Sequence, residues 1–292
     1  MAECAAGLLC ALRHRPILEV ALPTWLMVLV VISWLLFAFV LAMPWLLRRR
    51  GIRMSRTRFG VTLVFDSADA DGTTVRLLNV NGTYQSVSYV DPDLRFELAC
   101  EYHRDMARVM DSVPTARQAM VIGCGGYSLP KWMVAHLPRL HVAAVEIDPA
   151  ITQIARESFF LDECLDEYGH DRMDLVEADG WAYLQESPVA WDVIVNEAFT
   201  GNKPLGELGC ERGARVVREH LAPGGVYLAD VRGPLEGRGA RPLQEACEAF
   251  AGQFAHVAVI PERPEEPRAK GNNVLVASDS QVWLPKGAMV VK

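Results

Sequence analysis

The chain has few features of a disulfide-bonded or zinc-binding protein. Its seven cysteines are scattered, odd in number and contain no C-x-x-C pair. This arrangement is typical of reduced thiols in a cytosolic domain and argues against a disulfide framework. The histidines are not spaced as a metal site, so no metal is predicted. No internal repeat or low-complexity stretch is present.

Basic residues are scarce outside the N-terminal part of the chain. Residues 1–58 hold eight arginines against two glutamates, whereas the whole chain of 292 residues has a net charge of −7. The remainder is therefore strongly acidic. Because nucleic-acid binding requires basic surface to neutralise phosphates, no nucleic-acid partner is expected.

Charge is absent between Trp25 and Leu47, a run dominated by Leu, Val, Phe and Trp. A span needs ~20 apolar residues to cross the hydrocarbon layer, so 25–47 is predicted to be a transmembrane helix. A buried core helix would carry a polar face, and a signal peptide would have a shorter apolar core and a cleavage site. Six arginines follow within positions 48–58, against two before the run.

This charge distribution predicts the topology of the chain. We expect a single-pass protein of the cell membrane that contacts the lipid bilayer through one helix. Residues 1–24 would form an extracytoplasmic segment and 48–58 a basic juxtamembrane linker. The C-terminal part would be cytoplasmic.

Residues 59–113 are predicted to form a small antiparallel β unit of three strands, followed by a helix over about 93–111. Apolar and polar residues alternate through 59–90, and Asn81-Gly82 is a strong hairpin signal. Asp91-Pro92-Asp93 then opens the helical pattern.

Strands alternate with helices over 114–292, which predicts an α/β domain with a mostly parallel, Rossmann-like sheet. Seven strands ending in a late pair are typical of the S-adenosylmethionine-dependent methyltransferase fold. The predicted strands are 119–124, 141–147, 173–177, 191–195, 225–231, 256–260 and 273–277.

The first of these strands runs into a glycine-rich loop containing Gly123, Gly125 and Gly126. Glycines there let the chain turn tightly and let a ligand approach the backbone. Glu146 ends the second strand about 20 residues later, where a carboxylate can bind both ribose hydroxyls. Asp179 follows the third strand, where it can accept from an adenine amine.

Asp148 and Gly180 complete the set expected from these strand ends, and all are predicted to bind a cofactor. The alternative is that the three acidic residues are solvated loop or helix-cap groups. A dinucleotide site would need a third glycine, which is missing after Gly126. Adenosyl cofactors carry no phosphate, so S-adenosylmethionine or its decarboxylated form is favoured over NAD.

Several motifs together give a resemblance to a known family. They are Asn79–Gln85, Glu101-Tyr102-His103, Val121–Gly126, Val145–Asp148, Asp179-Gly180 and Gly271–Ala277. In this order the segment from about 77 to 277 resembles the spermidine synthase (aminopropyltransferase) family, including its membrane-fused bacterial members. The resemblance implies that Gln85, with Glu146, Asp179 and Gly180, holds the nucleoside. It also implies that Tyr102 and His103 face the acceptor, and it leaves a homodimer open.

The chain departs from this family where the polyamine should bind. Gly126 stands where the family motif has an aspartate, and Asn196 and Phe199 replace the two aspartates after the fourth strand. A neutral amide is no general base near pH 7 and does not neutralise an ammonium group. Glu197 could substitute, although adjacent residues of an extended strand end point opposite ways. Asn196, Glu197, Tyr102 and His103 are the predicted catalytic residues.

Three functions stay open at this point. The favoured one is a membrane-anchored transferase that moves a methyl or aminopropyl group to an unidentified small-molecule acceptor without the usual aspartates. A genuine polyamine aminopropyltransferase is the second. The third is a non-catalytic sensor or scaffold that binds S-adenosylmethionine.

Overall fold

The computed structural model describes residues 23–200, 203–204 and 206–292 of the chain. The chain divides into two units at Arg50 and Gly51. The extracytoplasmic segment predicted over 1–24 lies almost wholly outside the described residues. The boundaries predicted at 58 and 113 stay predictions, because residues 51–292 form one compact unit.

The first unit contains one long helix, α1, over Thr24–Arg49. None of its residues is buried, and its most apolar 18-residue window has a mean hydropathy of 2.9. At ~1.5 Å per residue this helix is longer than the ~30 Å hydrocarbon layer of a bilayer. Its length and composition therefore suffice to cross a membrane, while its orientation stays a prediction.

A small antiparallel sheet opens the second unit, with strands in the order β1-β2-β3-β4. The four strands are Arg53–Thr57, Gly60–Ala68, Thr74–Val80 and Thr83–Tyr89. Three strands were predicted here, and β1 falls in the segment expected to be a linker. Arg53, Arg56 and Thr57 are polar, so the sequence of β1 shows no apolar alternation. Thr57 is nevertheless buried, and all five residues of β1 pair with β2. The basic character of 48–58 thus does not prevent strand formation.

Helix α2 covers Glu101–Met110, a shorter segment than the predicted 93–111. The residues before it form turns, in which the Asp91 carboxylate accepts from the backbone N–H of Asp93. Such local side-chain bonds compete with helix formation. The buried side of α2 includes His103 and Met106, which brings the predicted Tyr102-His103 pair onto the domain interior.

The main sheet has eight strands in the order β14-β12-β13-β11-β8-β5-β6-β7. The five strands from β11 to β7 are parallel, and β12, β13 and β14 pair antiparallel. These strands are β5 Gln118–Ile122, β6 His141–Glu146, β7 Met173–Glu177, β8 Trp191–Asn196, β11 Leu221–Gly233, β12 His256–Ile260, β13 Gly271–Ser278 and β14 Met289–Val290. This is the mostly parallel, Rossmann-like sheet that the sequence predicts, with one strand more than the expected seven. The two-residue β14 is too short to show a pattern, and it forms the edge of the sheet by pairing with β12.

Helices cover both faces of the main sheet. They are α3 Ser128–His136, α4 Pro149–Ser158, α5 Leu161–Tyr168, α6 Gly180–Glu186, α7 Glu211–His220 and α8 Arg241–Ala251. Two separate clusters of buried apolar residues lie on the two faces of the sheet. One cluster includes α2, α3, α4 and α5 with the small sheet, and the other includes α6, α7 and α8. Two further short strands, β9 Phe199–Thr200 and β10 Lys203–Pro204, pair with each other beyond β8.

Candidate functional site

The glycine-rich loop joins β5 to α3 and depends on left-handed backbone. Gly123 has a φ of +79° and Gly125 a φ of +51°, conformations that favour glycine. A Cβ on Gly123 would lie 2.8 Å from the Ala198 Cα and 3.1 Å from the Glu197 carbonyl carbon. The absence of a side chain at Gly123 therefore lets the segment after β8 pack directly on this loop.

Substitution of Gly123 by alanine tests this close approach. We expect Gly123→Ala to displace the segment carrying Glu197 and to lower any reaction that depends on Glu197 by about 10²-fold, the effect of a misplacement of ~1 Å. Gly72→Ala is the matched control, since Gly72 has a φ of +82° and nothing within 4 Å of an added Cβ. Equal reaction rates in the two variants would show that the contact is unimportant.

Glu146 fixes the glycine loop to the end of β6. Its Oε2 accepts from the backbone N–H of Cys124 at 3.0 Å and of Gly125 at 3.4 Å, and its Oε1 accepts from Asp148 N–H at 3.1 Å. The residue is 6% exposed. Burial raises the pKa of this carboxyl, and the three backbone bonds oppose that rise. Glu146 is thus a buried carboxylate held directly beside the loop.

The other two predicted acids of the nucleoside site begin helices. Asp148 is buried and accepts from the backbone N–H of Arg58 at 2.6 Å and of Ala150 at 3.0 Å, so it also ties the β1–β2 turn to α4. Asp179 is exposed and accepts from Ala182 N–H at 3.0 Å. Both therefore act as N-caps, as the alternative interpretation anticipated.

Gly180 and Gly126 lie where the chain has no room for a side chain. A Cβ on Gly180 would lie 2.1 Å from the Ile122 Cγ2. At Gly126 it would lie 2.8 Å from the Ser86 Oγ and 2.9 Å from the Phe159 ring. An aspartate at Gly126, as in the family motif, would therefore require Ser86 and Phe159 to move.

Gln85 lies on β4, next to the glycine loop. Its side chain is exposed. Its backbone carbonyl oxygen would lie 3.1 Å from a Cβ on Gly125. Strand β4 thus forms one wall of the loop, and the structure brings together Gln85, the loop glycines and Glu146.

His103 and Glu197 form a contact between α2 and the end of β8. The His103 Nε2 lies 2.6 Å from the Glu197 Oε1, with side-chain exposures of 4% and 12%. The Tyr102 ring lies 4.1 Å from the His103 ring. Burial, with Glu197 as the next cause, raises the pKa of the Tyr102 phenol well above its ordinary value. Three of the four predicted catalytic residues, Tyr102, His103 and Glu197, therefore lie next to one another.

The Asn196 side chain does not contact the His103–Glu197 pair. Its Nδ2 donates to the Tyr227 hydroxyl at 3.3 Å, and its Oδ1 accepts from Ala198 N–H at 3.1 Å. The residue is fully buried. Its catalytic role stays a prediction without a supporting contact to the His103–Glu197 pair.

Two acidic residues near this pair were missed in the sequence. Asp230 on β11 is 4% exposed, and its Oδ1 has no hydrogen-bond partner among the described residues. Burial, followed by Glu197 and Glu262, raises the pKa of Asp230 well above its ordinary value. The Oε2 of Glu262, just after β12, accepts from Asn272 N–H at 2.6 Å. The detectable signal was an acid at an inward position of a buried strand, since Val226 and Leu228 precede Asp230 at two-residue steps.

Strand alternation explains why these carboxylates share one region. Side chains two residues apart point to the same face. Glu146, Glu197, Asp230 and Glu262 each continue, at two-residue steps, a series of buried residues of one core cluster, namely Ala144, Val195, Leu228 and Ile260. All four strands end at the same edge, because they run in the same direction. Asn196 follows the opposite cluster, which contains Ile194.

Known proteins resemble this chain in sequence and in fold. The spermine/spermidine synthase domain family matches residues 99–262. A polyamine aminopropyltransferase of Neisseria meningitidis is 29% identical over 137 residues, covering 46% of this chain and 49% of that protein. The human eEF1A lysine and N-terminal methyltransferase is also 29% identical, over 156 residues, covering 46% of this chain and 21% of that protein. The chain thus spans about half the length of the aminopropyltransferase and less of the methyltransferase.

Solved structures share the fold. A probable spermidine synthase from Corynebacterium glutamicum has a TM-score of 0.65 at 21% identity, covering 79% of this chain and 81% of that one. A spermidine synthase in complex with the transition-state analogue AdoDATO has a TM-score of 0.59 at 18% identity, covering 78% and 74%. Human methyltransferase-like protein 13 in complex with SAH has a TM-score of 0.52 at 22% identity, covering 65% and 87%. These neighbours have the Rossmann-like methyltransferase-type fold predicted from the sequence. Since the family match covers more than half of its length, the chain belongs to the spermine/spermidine synthase domain family.

Proposed function

We propose that the chain is a membrane-anchored transferase that moves a methyl or aminopropyl group from a sulfonium nucleoside to an amine. The observation that carries this proposal is the His103–Glu197 pair, a buried acid–base contact at 2.6 Å whose segment packs on the glycine loop. The relatives named above are called aminopropyltransferases and a lysine and N-terminal methyltransferase. Polyamines, lysine side chains and protein N-termini are all amines.

The nucleoside site proposed for this chain lies at the glycine loop. Gly123 and Gly125 give the loop its left-handed turns, and Glu146 supplies a buried carboxylate beside the loop. These features fit an uncharged ribose better than a pyrophosphate, which a carboxylate would repel. Glu146 would bind the ribose hydroxyls, while Asp179, Gly180 and Gln85 would border the base. S-adenosylmethionine or its decarboxylated form, when bound, supplies an electrophilic carbon on its sulfonium.

Glu197 would remove a proton from the acceptor. An ammonium group has no free lone pair, so it must lose a proton before its nitrogen can attack carbon. The Glu197 side chain is 12% exposed and so is reachable, whereas the His103 side chain is only 4% exposed. We therefore assign the proton acceptor role to Glu197 and a positioning role to His103. Tyr102 would border the acceptor.

Helix α1 would anchor the domain in the cell membrane. Arg48 and Arg49 lie in its last turn, and more arginines follow in β1 and its turn. Positive charge is retained on the cytoplasmic side of membranes. The enzyme domain would therefore face the cytoplasm, where its nucleoside cosubstrate would be available.

Calorimetry with the full chain in detergent tests the nucleoside site. We expect S-adenosylmethionine or its decarboxylated form to bind, and the preferred one identifies the transferred group. Preference for the intact compound supports methyl transfer, and preference for the decarboxylated compound supports aminopropyl transfer. Absence of binding by both would refute the proposed function. Binding without turnover of any amine would favour a sensor or scaffold.

A further inference from the structure

Asp230 is a buried carboxyl group with an unsatisfied oxygen. It is 4% exposed, and no group in the described part of the chain bonds its Oδ1. An unpaired carboxylate in such a place is costly, so native structures normally pair or protonate it. No structural bond of the kind that occupies Asp148 accounts for its position. A ligand that bonds to the Asp230 Oδ1 would account for the position of this residue.

The sheet register places Asp230 beside the proposed transfer site. Ala229 on β11 is paired with Asn196 on β8, and both strands are parallel. The next residues along are Asp230 and Glu197, so their side chains start on the same face of neighbouring strands. Adjacent strands lie ~4.8 Å apart, a separation that one nitrogen group can bridge.

The charged and titratable groups around Asp230 are mostly acidic. Burial, followed by Glu197 and Glu262, raises the pKa of Asp230, and among the described residues only Arg232 on the same strand lowers it. From the start of α2, the pKa values of the Cys100 thiol and the Tyr102 phenol are raised mainly by burial, with Asp230 among the further causes. His103 is engaged by Glu197. In these acidic surroundings, a positively charged ligand is the one that would pair with the Asp230 carboxylate.

We propose that Asp230 recognises a positively charged nitrogen of the acceptor, and that this cation displaces a proton from the Asp230 carboxyl group when it binds. The proton passes to solvent, and the carboxylate pairs with the ammonium or guanidinium group. The inference rests on the proposed function and adds to it the residue that recognises the charge of the amine acceptor. With a neutral alcohol or thiol acceptor, Asp230 would keep its proton and gain no ionic partner.

Calorimetry on the full chain in detergent tests this assignment. The protein is first saturated with 5′-methylthioadenosine, which has no sulfonium and cannot react. It is then titrated with the diamine putrescine, with agmatine, or with the neutral analogue 1,4-butanediol, in buffers of different ionisation enthalpy. We expect a cationic compound to bind with release of a proton, and 1,4-butanediol not to bind.

The variants Asp230→Asn and Glu265→Gln complete the experiment. Asp230→Asn should bind the amine at least ~10-fold more weakly and release no proton, since one charge-assisted bond is lost. Glu265 is exposed, and its variant should behave as wild type. Methylthioadenosine should bind equally to all three proteins. In a transfer assay the Asp230→Asn defect should appear mainly in KM.

Several results would overturn the inference. They are equal amine binding by Asp230→Asn and wild type, unchanged proton release, equal binding of 1,4-butanediol, or no amine binding by nucleoside-loaded protein. Failure of methylthioadenosine to bind would instead contradict the proposed function. The amine titration would then be read on nucleoside-free protein, so the two failures are distinguishable.

Stability provides a readout that does not depend on any acceptor. The pKa of Asp230 in the folded chain lies above its ordinary value of 3.8. The folded state therefore keeps a proton that the unfolded state releases, and stability falls as pH rises from about 4 towards the folded pKa. Asp230→Asn removes this dependence. Its melting temperature relative to wild type should rise between pH 4 and pH 8, and a constant difference would contradict a buried, unpaired carboxyl group.

Discussion

Replacement of Glu197 by glutamine is expected to lower group transfer by roughly 10²–10⁴-fold at neutral pH, the usual contribution of a general base. Glutamine has nearly the same shape and can still contact His103, but its amide does not take a proton from an ammonium group. The expected defect lies in kcat, measured with saturating nucleoside. Binding of the nucleoside should change little, because the Glu197 atom packed against Gly123 is its backbone carbonyl carbon, which the substitution leaves unchanged.

The pH dependence separates a chemical role from a structural one. Alkyl ammonium groups lose their proton near pH 10, as lysine does, and a neutral amine needs no base. The difference between Glu197→Gln and wild type should therefore shrink from pH 7 to pH 10. Glu265→Gln serves as the control for loss of one carboxylate. A defect that is independent of pH would mean that Glu197 only shapes the site.

His103 offers a comparison within the same pair. Its side chain is 4% exposed, so it reaches the acceptor less readily than Glu197 does. We expect His103→Asn to lower kcat less than Glu197→Gln, by loosening the orientation of the carboxylate. A larger loss with His103→Asn would reverse the two assignments and make the imidazole the base.

Replacement of Glu146 by glutamine is expected to weaken binding of S-adenosylmethionine or its decarboxylated form by about 10²-fold or more. Two effects add. The bonds proposed to the ribose lose their charge, and hydrogen bonds to charged groups are worth about 1.5–3 kcal/mol each. In addition, the Glu146 oxygens accept three backbone N–H groups, and an amide NH₂ would face a donor instead of accepting from it.

Glu177→Gln is the matched control for this experiment. Glu177 is the direct partner of Glu146 in the β6–β7 pairing, ends its strand at the same level, and is exposed. The same chemical change there should leave nucleoside affinity unchanged. Calorimetric titration of both variants measures the difference. Equal affinity of Glu146→Gln and wild type would show that the nucleoside does not use the glycine loop.

The departures from the family motif acquire a physical explanation in the folded chain. Gly126 replaces an aspartate in a place already filled by Ser86 and Phe159. Asn196 replaces another and turns to the opposite face, where it contacts Tyr227. Carboxylates nevertheless occur nearby, because Asp230 lies in the last part of β11 and Glu197 and Glu262 follow β8 and β12 on the same face. This edge of the sheet is therefore acidic even without the aspartates of the family motif.

Local signals in the sequence were sufficient for the class of fold and for the position of the glycine loop beside Glu146, while the binding of a nucleoside there stays a prediction. The alternation of strands with helices predicted the main sheet, and the glycines with Glu146 lay where they were expected, since both depend on short-range patterns. Strands β1 and β14 were missed because neither has an apolar alternation of its own, and each exists by pairing with a neighbour.

The amino-acid sequence by itself determined a long apolar helix, an acidic domain and a mostly parallel sheet. It also determined that polar residues lie at the strand ends. Only the tertiary structure decided which of those residues meet. His103 and Glu197 are 94 residues apart in the chain, and their contact depends on how α2 packs on the sheet. The position of Asp230 beside Glu197 depends on the β8–β11 register, where a shift by one residue would turn either side chain to the other face. Pairings of this kind are set by packing between distant segments, which no local pattern records.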